Sequence, residues 1–224
     1  MRILFTLALI VSLPAAAAGP EDKIFPLMDS AAASFRTMTG KITKASYTKV
    51  INDNSIENGS IAVKRTGPKS LRVLIQIVTP DPKAYTFQDR KAEAYFPNAN
   101  RVEEYDLGKQ RDLLDQFLLL GFGTSVAELR SSYAVSVTGE ETVAGQKTAR
   151  LELLPKNPKA KEYLTKAELW VSMADGHIVQ QKFWEAAGDY RLITYSAAKW
   201  DAELPDAAMK LNLPKGVKRS TPQK

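Results

Sequence analysis

The side chains able to do chemistry in this chain of 224 residues make a short inventory. There is one histidine, His177, and no cysteine. A lone imidazole has no second histidine with which to build a zinc or iron site, and without thiolates there is no thiol nucleophile, disulfide or zinc–sulfur cage. His177 follows Asp175-Gly176, a good hairpin-turn pair, and a histidine there is expected to be exposed to solvent. The adjacent acids Glu103-Glu104 alternate across a strand and Glu140-Glu141 stand at a turn, so neither pair converges for acid–base work. There is no glycine-rich phosphate loop and no Gly-x-Ser-x-Gly elbow. No catalytic residue, metal ligand or cofactor is therefore expected. Binding remains, with apolar side chains as its instrument.

Those side chains need elements to position them. Over residues 21–38 the apolar residues Ile24, Leu27, Met28, Ala31, Phe35 and Met38 recur every three or four positions, which predicts an amphipathic helix ended by Gly40, with Pro26 tolerated in its first turn. Short β-type runs follow: 41–51, 59–65, 69–79, 85–88, 92–96 and 101–105, separated by turn residues such as Asn52-Asp53-Asn54 and Pro80-Asp81-Pro82. In 71–79, Leu71, Val73, Ile75 and Ile77 share one wholly apolar face, as in a curved sheet with a greasy inner side. A helix is predicted over 109–120, with Leu113, Leu114, Phe117 and Leu118 on its apolar face, broken by Gly121-Phe122-Gly123. Ser125 and Glu128 then form a capping box for a short helix, 126–131, that contributes Val126 and Leu129. These two segments are suited to act as a lid. Strands resume at 133–137, 146–154, 167–173, 177–184 and 190–198, and a tail, 210–218, closes a single domain.

At the N-terminus, Arg2 precedes an apolar run from Ile3 to Leu13, then Pro14 and the small residues Ala15 to Ala18. This is the pattern of a cleaved secretory signal, with eleven apolar residues against the roughly 20 a membrane helix needs. Residues 1–18 are thus expected to be the signal and 19–224 the mature domain. The mature chain is expected to be soluble in the periplasm, with no cysteine to carry a lipid anchor. Net charge is +6. Part of it is concentrated in Lys156, Lys159, Lys161 and Lys166 and in the tail residues Lys215, Lys218, Arg219 and Lys224, each cluster either a solvated face or a site of attraction to an anionic membrane or an acidic protein. No aromatic–basic motif points to nucleic acid.

Several local runs then fall in a recognisable order. Ile61-Ala-Val-Lys-Arg65 is a strand ending in arginine, with Pro68 close behind, and Arg72 follows two positions after Ser70. Tyr95-Phe96-Pro97, Leu151-Glu-Leu-Leu-Pro155, the hairpin from Phe183 to Tyr195 around Gly188, and Leu213-Pro214-Lys-Gly216-Val217 come after. In this order, behind an export signal, the chain resembles the periplasmic lipoprotein carrier (LolA) family. It departs from the family pattern at Asp89-Arg90, Glu93 and Glu185. The resemblance implies a mainly β (α+β) fold: an unclosed antiparallel β-barrel, or strongly curved sheet, with an N-terminal helix and a mid-chain helical lid over an apolar cavity. Candidates to line that cavity are Val73, Ile75, Ile77, Tyr85, Phe87, Tyr95, Leu113, Leu114, Phe117, Leu118, Val126 and Leu129.

The resemblance also implies that Arg65 latches the lid. A guanidinium has five donors and no acceptor, and could hold the free carbonyl ends of helices. Implied ligands and partners are acylated lipoproteins or other lipids, an inner-membrane release complex and an outer-membrane acceptor, with the carrier monomeric. Three alternatives are distinct from this: a binder of free lipids or lipoprotein sensor on the same fold, an exported hydrolase centred on His177, and a scaffold with a filled barrel. Periodicity alone does not separate a hollow core from a filled one.

Overall fold

A computed structural model describes residues 19–68, 70–88, 90–108 and 120–222. The predicted helix 109–120, with Leu113, Leu114, Phe117 and Leu118, lies outside them except for Leu120, and so does the predicted signal at 1–18.

Helix α1 (Pro20–Ser34) opens on Gly19, with the Asp22 carboxylate accepting from the Gly19 N–H at 2.8 Å. It is shorter than its apolar spacing predicts. Asp201 takes the backbone N–H of Arg36 at 2.6 Å, and Thr37 already pairs with Lys64, so the chain turns into a strand there and Gly40 lies within that strand. Phe35 and Met38, read from sequence as the end of the helical stripe, are core residues beyond it, 1% and 0% exposed. Pro26 stands inside the helix rather than in its first turn.

Among the described residues, twelve strands form one sheet. They are β1 (Thr37–Thr48), β2 (Asp53–Gly67), β3 (Ser70–Thr79), β4 (Lys83–Gln88), β5 (Lys91–Phe96), β6 (Arg101–Asp106), β7 (Tyr133–Val143), β8 (Gln146–Pro155), β9 (Lys166–Ser172), β10 (Ile178–Trp184), β11 (Tyr190–Trp200) and β12 (Lys218–Ser220). Their order is β12-β6-β5-β4-β3-β2-β1-β11-β10-β9-β8-β7. Neighbours are antiparallel except β12, which runs parallel to β6. The two ends of this order do not pair, so the barrel is unclosed. Helix α2 (Val126–Ser132) begins at the predicted capping box: Ser125 accepts from the Glu128 N–H at 3.2 Å, and Glu128 accepts from the Ser125 N–H at 2.9 Å. A one-turn helix α3 (Pro158–Lys161) lies between β8 and β9.

The core lies on one face of the sheet. Leu151 and Leu153 of β8, Leu169 of β9, Val63 of β2 and Met38 of β1 join Ile24, Met28 and Leu129 of the helices in one buried cluster. The other face is largely polar. There Glu168 is 1% exposed because Arg150, Lys166 and Trp184 cover it. The Trp184 indole N–H donates to it at 2.6 Å, and Arg150 forms a close ion pair. Burial works to raise the Glu168 pKa, but the hydrogen bonds from Trp184 and Arg150, with the charges of Arg150 and Lys166, outweigh it and hold the carboxyl below its ordinary range. A carboxyl with a depressed folded pKa contributes stability that is present above its unfolded value, about 4.3, and is lost as pH falls through the folded value. Glu168→Gln should therefore lower stability at neutral pH by about 1–3 kcal/mol and flatten its loss on acidification, as read by denaturant unfolding across that range.

Candidate functional site

Alternation across paired strands builds the inner face. Ile61 stands opposite Ile75, and Ile75 opposite Tyr85; Val63 stands opposite Val73, and Val73 opposite Phe87. On the other flank of β1, Ile42 pairs with Tyr195, and Ile193 follows on the same face of β11, opposite Lys44. Gly59 lets the strands come this close, since a Cβ there would run into the Gln76 carbonyl of β3.

The helices fill only part of the hollow these strands enclose. At the end where β1 begins, Phe35, Phe122, Tyr195 and Trp200 make an aromatic plug. Phe122 stands edge-on to Tyr195 with centroids 5.5 Å apart, and 6.2 Å from both Phe35 and Trp200. Beyond Phe122 a cavity of about 530 Å³ is left open. This falls within the range of about 300–1,000 Å³ of small-molecule sites. Its walls are Ile42, Ile61, Val63, Val73, Ile75, Ile77, Tyr85 and Phe87 on one side, and Phe183, Ile193, Tyr195 and Leu164 on the other.

Two polar features interrupt this apolar lining. Deep in the wall, Gln181 accepts from the Tyr195 hydroxyl at 2.7 Å and donates to the Leu120 carbonyl, so the buried amide is satisfied at both ends. Burial pushes the Tyr195 hydroxyl well above its ordinary pKa, and it stays a neutral donor. Charged residues gather at the end marked by the β1–β2 turn. Lys44 pairs with Glu57 at 2.8 Å, Lys83 closes on the same carboxylate, and Arg191 pairs with Glu185 at 2.9 Å. Burial works to raise the Glu57 pKa, but the two lysines outweigh it and keep the carboxyl below its ordinary range. The cavity is thus apolar with a neutralised, charged mouth.

Arg65 lies at the opposite end of β2. Its Nη2 donates to the Gly123 carbonyl at 2.6 Å and to the Ala32 carbonyl of α1 at 3.2 Å. The guanidinium carbon stands 5.5 Å from the Phe35 ring centroid. Of the two carbonyls it holds, one belongs to the last turns of α1 and one to the segment leading into α2. Gly123 has φ +69°, and a Cβ there would overlap the guanidinium and the Phe35 ring.

Among the sequence-predicted residues, Val73, Ile75, Ile77, Tyr85 and Phe87 stand together on the cavity wall. Tyr95 does not join them. It pairs with Ala84 and Val102, while its neighbour Ala94 faces Tyr85, so Tyr95 stands on the outer face of the sheet. Val126 and Leu129 are packed in the helical core, 5% and 1% exposed, and are not on the cavity wall. Ile42, Ile61, Val63, Phe122, Leu164, Gln181, Phe183, Ile193 and Tyr195 were missed. The alternation of Ile61 with Val63, and of Ile193 with Tyr195, was a readable signal; Ile42, alone among polar neighbours, had none. The exposure expected of His177 is corrected as well. Its ring stacks on Trp200, centroids 3.9 Å apart and planes 6° from parallel, and burial lowers its pKa.

No family model and no curated protein matches the sequence. Solved structures do. An uncharacterized conserved protein from Thermus thermophilus is 10% identical, with 88% of this chain and 97% of that one covered and a TM-score of 0.56. MucB is 14% identical over 86% of this chain, with a TM-score of 0.52. The chain spans less than two thirds of MucB, 62%. A LolA superfamily protein from Nitrosomonas europaea is 13% identical, with 87% and 99% covered and a TM-score of 0.41. At these identities the likeness is one of fold, carried by the first two structures: an open, curved sheet wrapped over helices.

Gly123→Ala should displace Arg65 from its carbonyl partners and lower stability by about 1–3 kcal/mol in thermal unfolding. Gly139→Ala, where nothing lies within 4 Å of the added carbon, should change it by no more than about 0.5 kcal/mol.

Proposed function

We propose that this chain is a periplasmic carrier that takes the acyl chains of lipoproteins into the cavity behind Phe122 and delivers them toward the outer membrane. In this reading residues 1–18 are the cleaved export signal and residues 19–224 one lipid-binding domain, working as a monomer between an inner-membrane release complex and an outer-membrane acceptor. The observation that carries the proposal is the apolar hollow of about 530 Å³ behind Phe122, lined by the inner face of the sheet. Acyl chains suit it, because each CH2 moved there from water gains about 0.8 kcal/mol, and a hydrocarbon asks no hydrogen bond of the walls.

Arg65 supplies the opposing state. Its two bonds tie α1 and the Gly123 segment to the end of β2, so a ligand that lifts the helical layer trades those bonds for acyl burial. A carrier needs loaded and empty states of similar free energy, because a ligand held by a large margin is not handed on. Binding, rather than catalysis, is also what the surroundings of His177 favour: the imidazole lies flat on Trp200.

Three outcomes are expected. The protein should co-purify with a triacylated lipoprotein and take up a fluorescent fatty acid; failure to bind any acylated ligand would sink the proposal, and phospholipid alone in native mass spectrometry would identify a free-lipid binder instead. Ile75→Trp, which fills the hollow, should weaken uptake about tenfold or more while leaving the fold intact by circular dichroism. Arg65→Leu should still load the ligand but release it poorly to an acceptor, and unchanged transfer would make Arg65 a structural residue only.

A further inference from the structure

Strand register and the cavity lining show which residues share an end of this sheet, and five of the six large hydrophobic side chains left exposed among the described residues share one. They are Val50 (86% exposed), Ile51 (69%), Tyr163 (60%), Ile56 and Val78. Val50 and Ile51 form the tip of the β1–β2 turn. Ile56 lies just inside the start of β2, and Val78 is the penultimate residue of β3, which runs antiparallel to β2. Tyr163 stands in the connection from β8 to β9. The pairings Tyr47 to Tyr190 and Trp184 to Lys166 bring it to the same end as the other four. It is also the cavity mouth, since Tyr163 lines the cavity beside Glu185 and Arg191.

Aromatic and basic groups accompany them. Tyr47 stacks on Tyr190 with centroids 5.3 Å apart, Trp184 lies 5.1 Å from Tyr190, and the Lys182 ammonium stands 3.9 Å from the centroids of both Trp184 and Tyr190. The connection 156–166 carries four lysines, of which Lys156 donates to the Arg130 carbonyl and Lys166 pairs with Glu152 and Glu168. Lys159 and Lys161 project from α3 into solvent. The two carboxylates that line the cavity are paired, Glu57 with Lys44 and Lys83, and Glu185 with Arg191.

Exposed aliphatic tips, half-buried Trp and Tyr rings and a cationic fringe are what a surface needs to sit in the headgroup region of an anionic bilayer. The geometry points to this end of the sheet as a membrane-docking rim that seats the cavity mouth against an anionic phospholipid surface. The basic connection selects the bilayer over a neutral apolar partner, because a lipid surface rewards scattered cations and apolar tips without demanding a matching shape. The rim does not depend on what occupies the cavity.

The test is co-sedimentation of the protein purified from the cell with phosphatidylglycerol–phosphatidylethanolamine vesicles and with phosphatidylcholine vesicles. Binding to the anionic vesicles, weakened by salt, is expected. The double variants Val50→Ser/Ile51→Ser and Lys159→Glu/Lys161→Glu should each lose about tenfold in affinity. Lys199→Glu, at the other end of β11, should lose none. Fluorescent fatty-acid uptake should be unchanged in all of them, which separates the rim from the cavity. A tryptophan introduced by Tyr163→Trp should be quenched by brominated lipid. Absence of vesicle binding, equal binding by the rim variants and Lys199→Glu, or retention by an acidic protein and not by vesicles would each overturn the proposal.

Discussion

A sheet that curls without closing has one inner face to cover, and the described helices cover only part of it; the rest of the described structure follows from that. Burying apolar surface is what holds the inner face together, and the packed half shows it: α1, α2 and the aromatic plug interlock with β1, β2 and β8 to β11 in one buried cluster. Among the described residues the cover stops at Phe122. Past it, the same alternation of strand residues continues along the hollow. A closed and filled barrel would have gained the packing of those walls; this one leaves it to be gained by something else.

Polar groups mark where the cover is held and where it ends. Arg65 draws two carbonyls onto the end of β2, one from α1 and one from the segment entering α2, and so ties two separate pieces of the helical layer with one side chain. Gln181 repeats the device inside the wall, joining Leu120 to Tyr195. Both residues donate to backbone carbonyls at breaks in helix or turn, where acceptors are free. At the mouth, Glu57 is paired with Lys44 and Lys83 and Glu185 with Arg191, so both carboxylates are held by cations. These contacts hold the lining in place without making it polar.

Much of this was legible in the sequence, and the failures have physical causes. The strand positions, the Ser125–Glu128 cap and the inner-facing set Val73, Ile75 and Ile77 follow from period and capping chemistry, which act over a few residues. Phe35 and Met38 were read as helix because their spacing is helical; Asp201, far away in the chain, ends the helix by taking the Arg36 amide. Tyr95, a candidate under the resemblance, lies in a strand whose facing the local sequence does not fix. Its side depends on pairing with Ala84 and Val102. His177 was read as exposed from its turn, but the turn brings it against Trp200, which the local sequence does not contain.

The sequence by itself determined which residues alternate, where helices start and where turns fall, because these rest on backbone preferences and on neighbours within a turn or a strand pair. It also determined that thiol and paired-histidine chemistry are absent, since the residues are not there. Only the tertiary structure decided that the inner face is partly hollow. Volume is a property of the whole sheet, set by many strands in register against the described helices, which cover only part of it. It likewise decided which carbonyls Arg65 holds, and that Val50, Ile51 and Tyr163, distant in the chain, stand at one mouth.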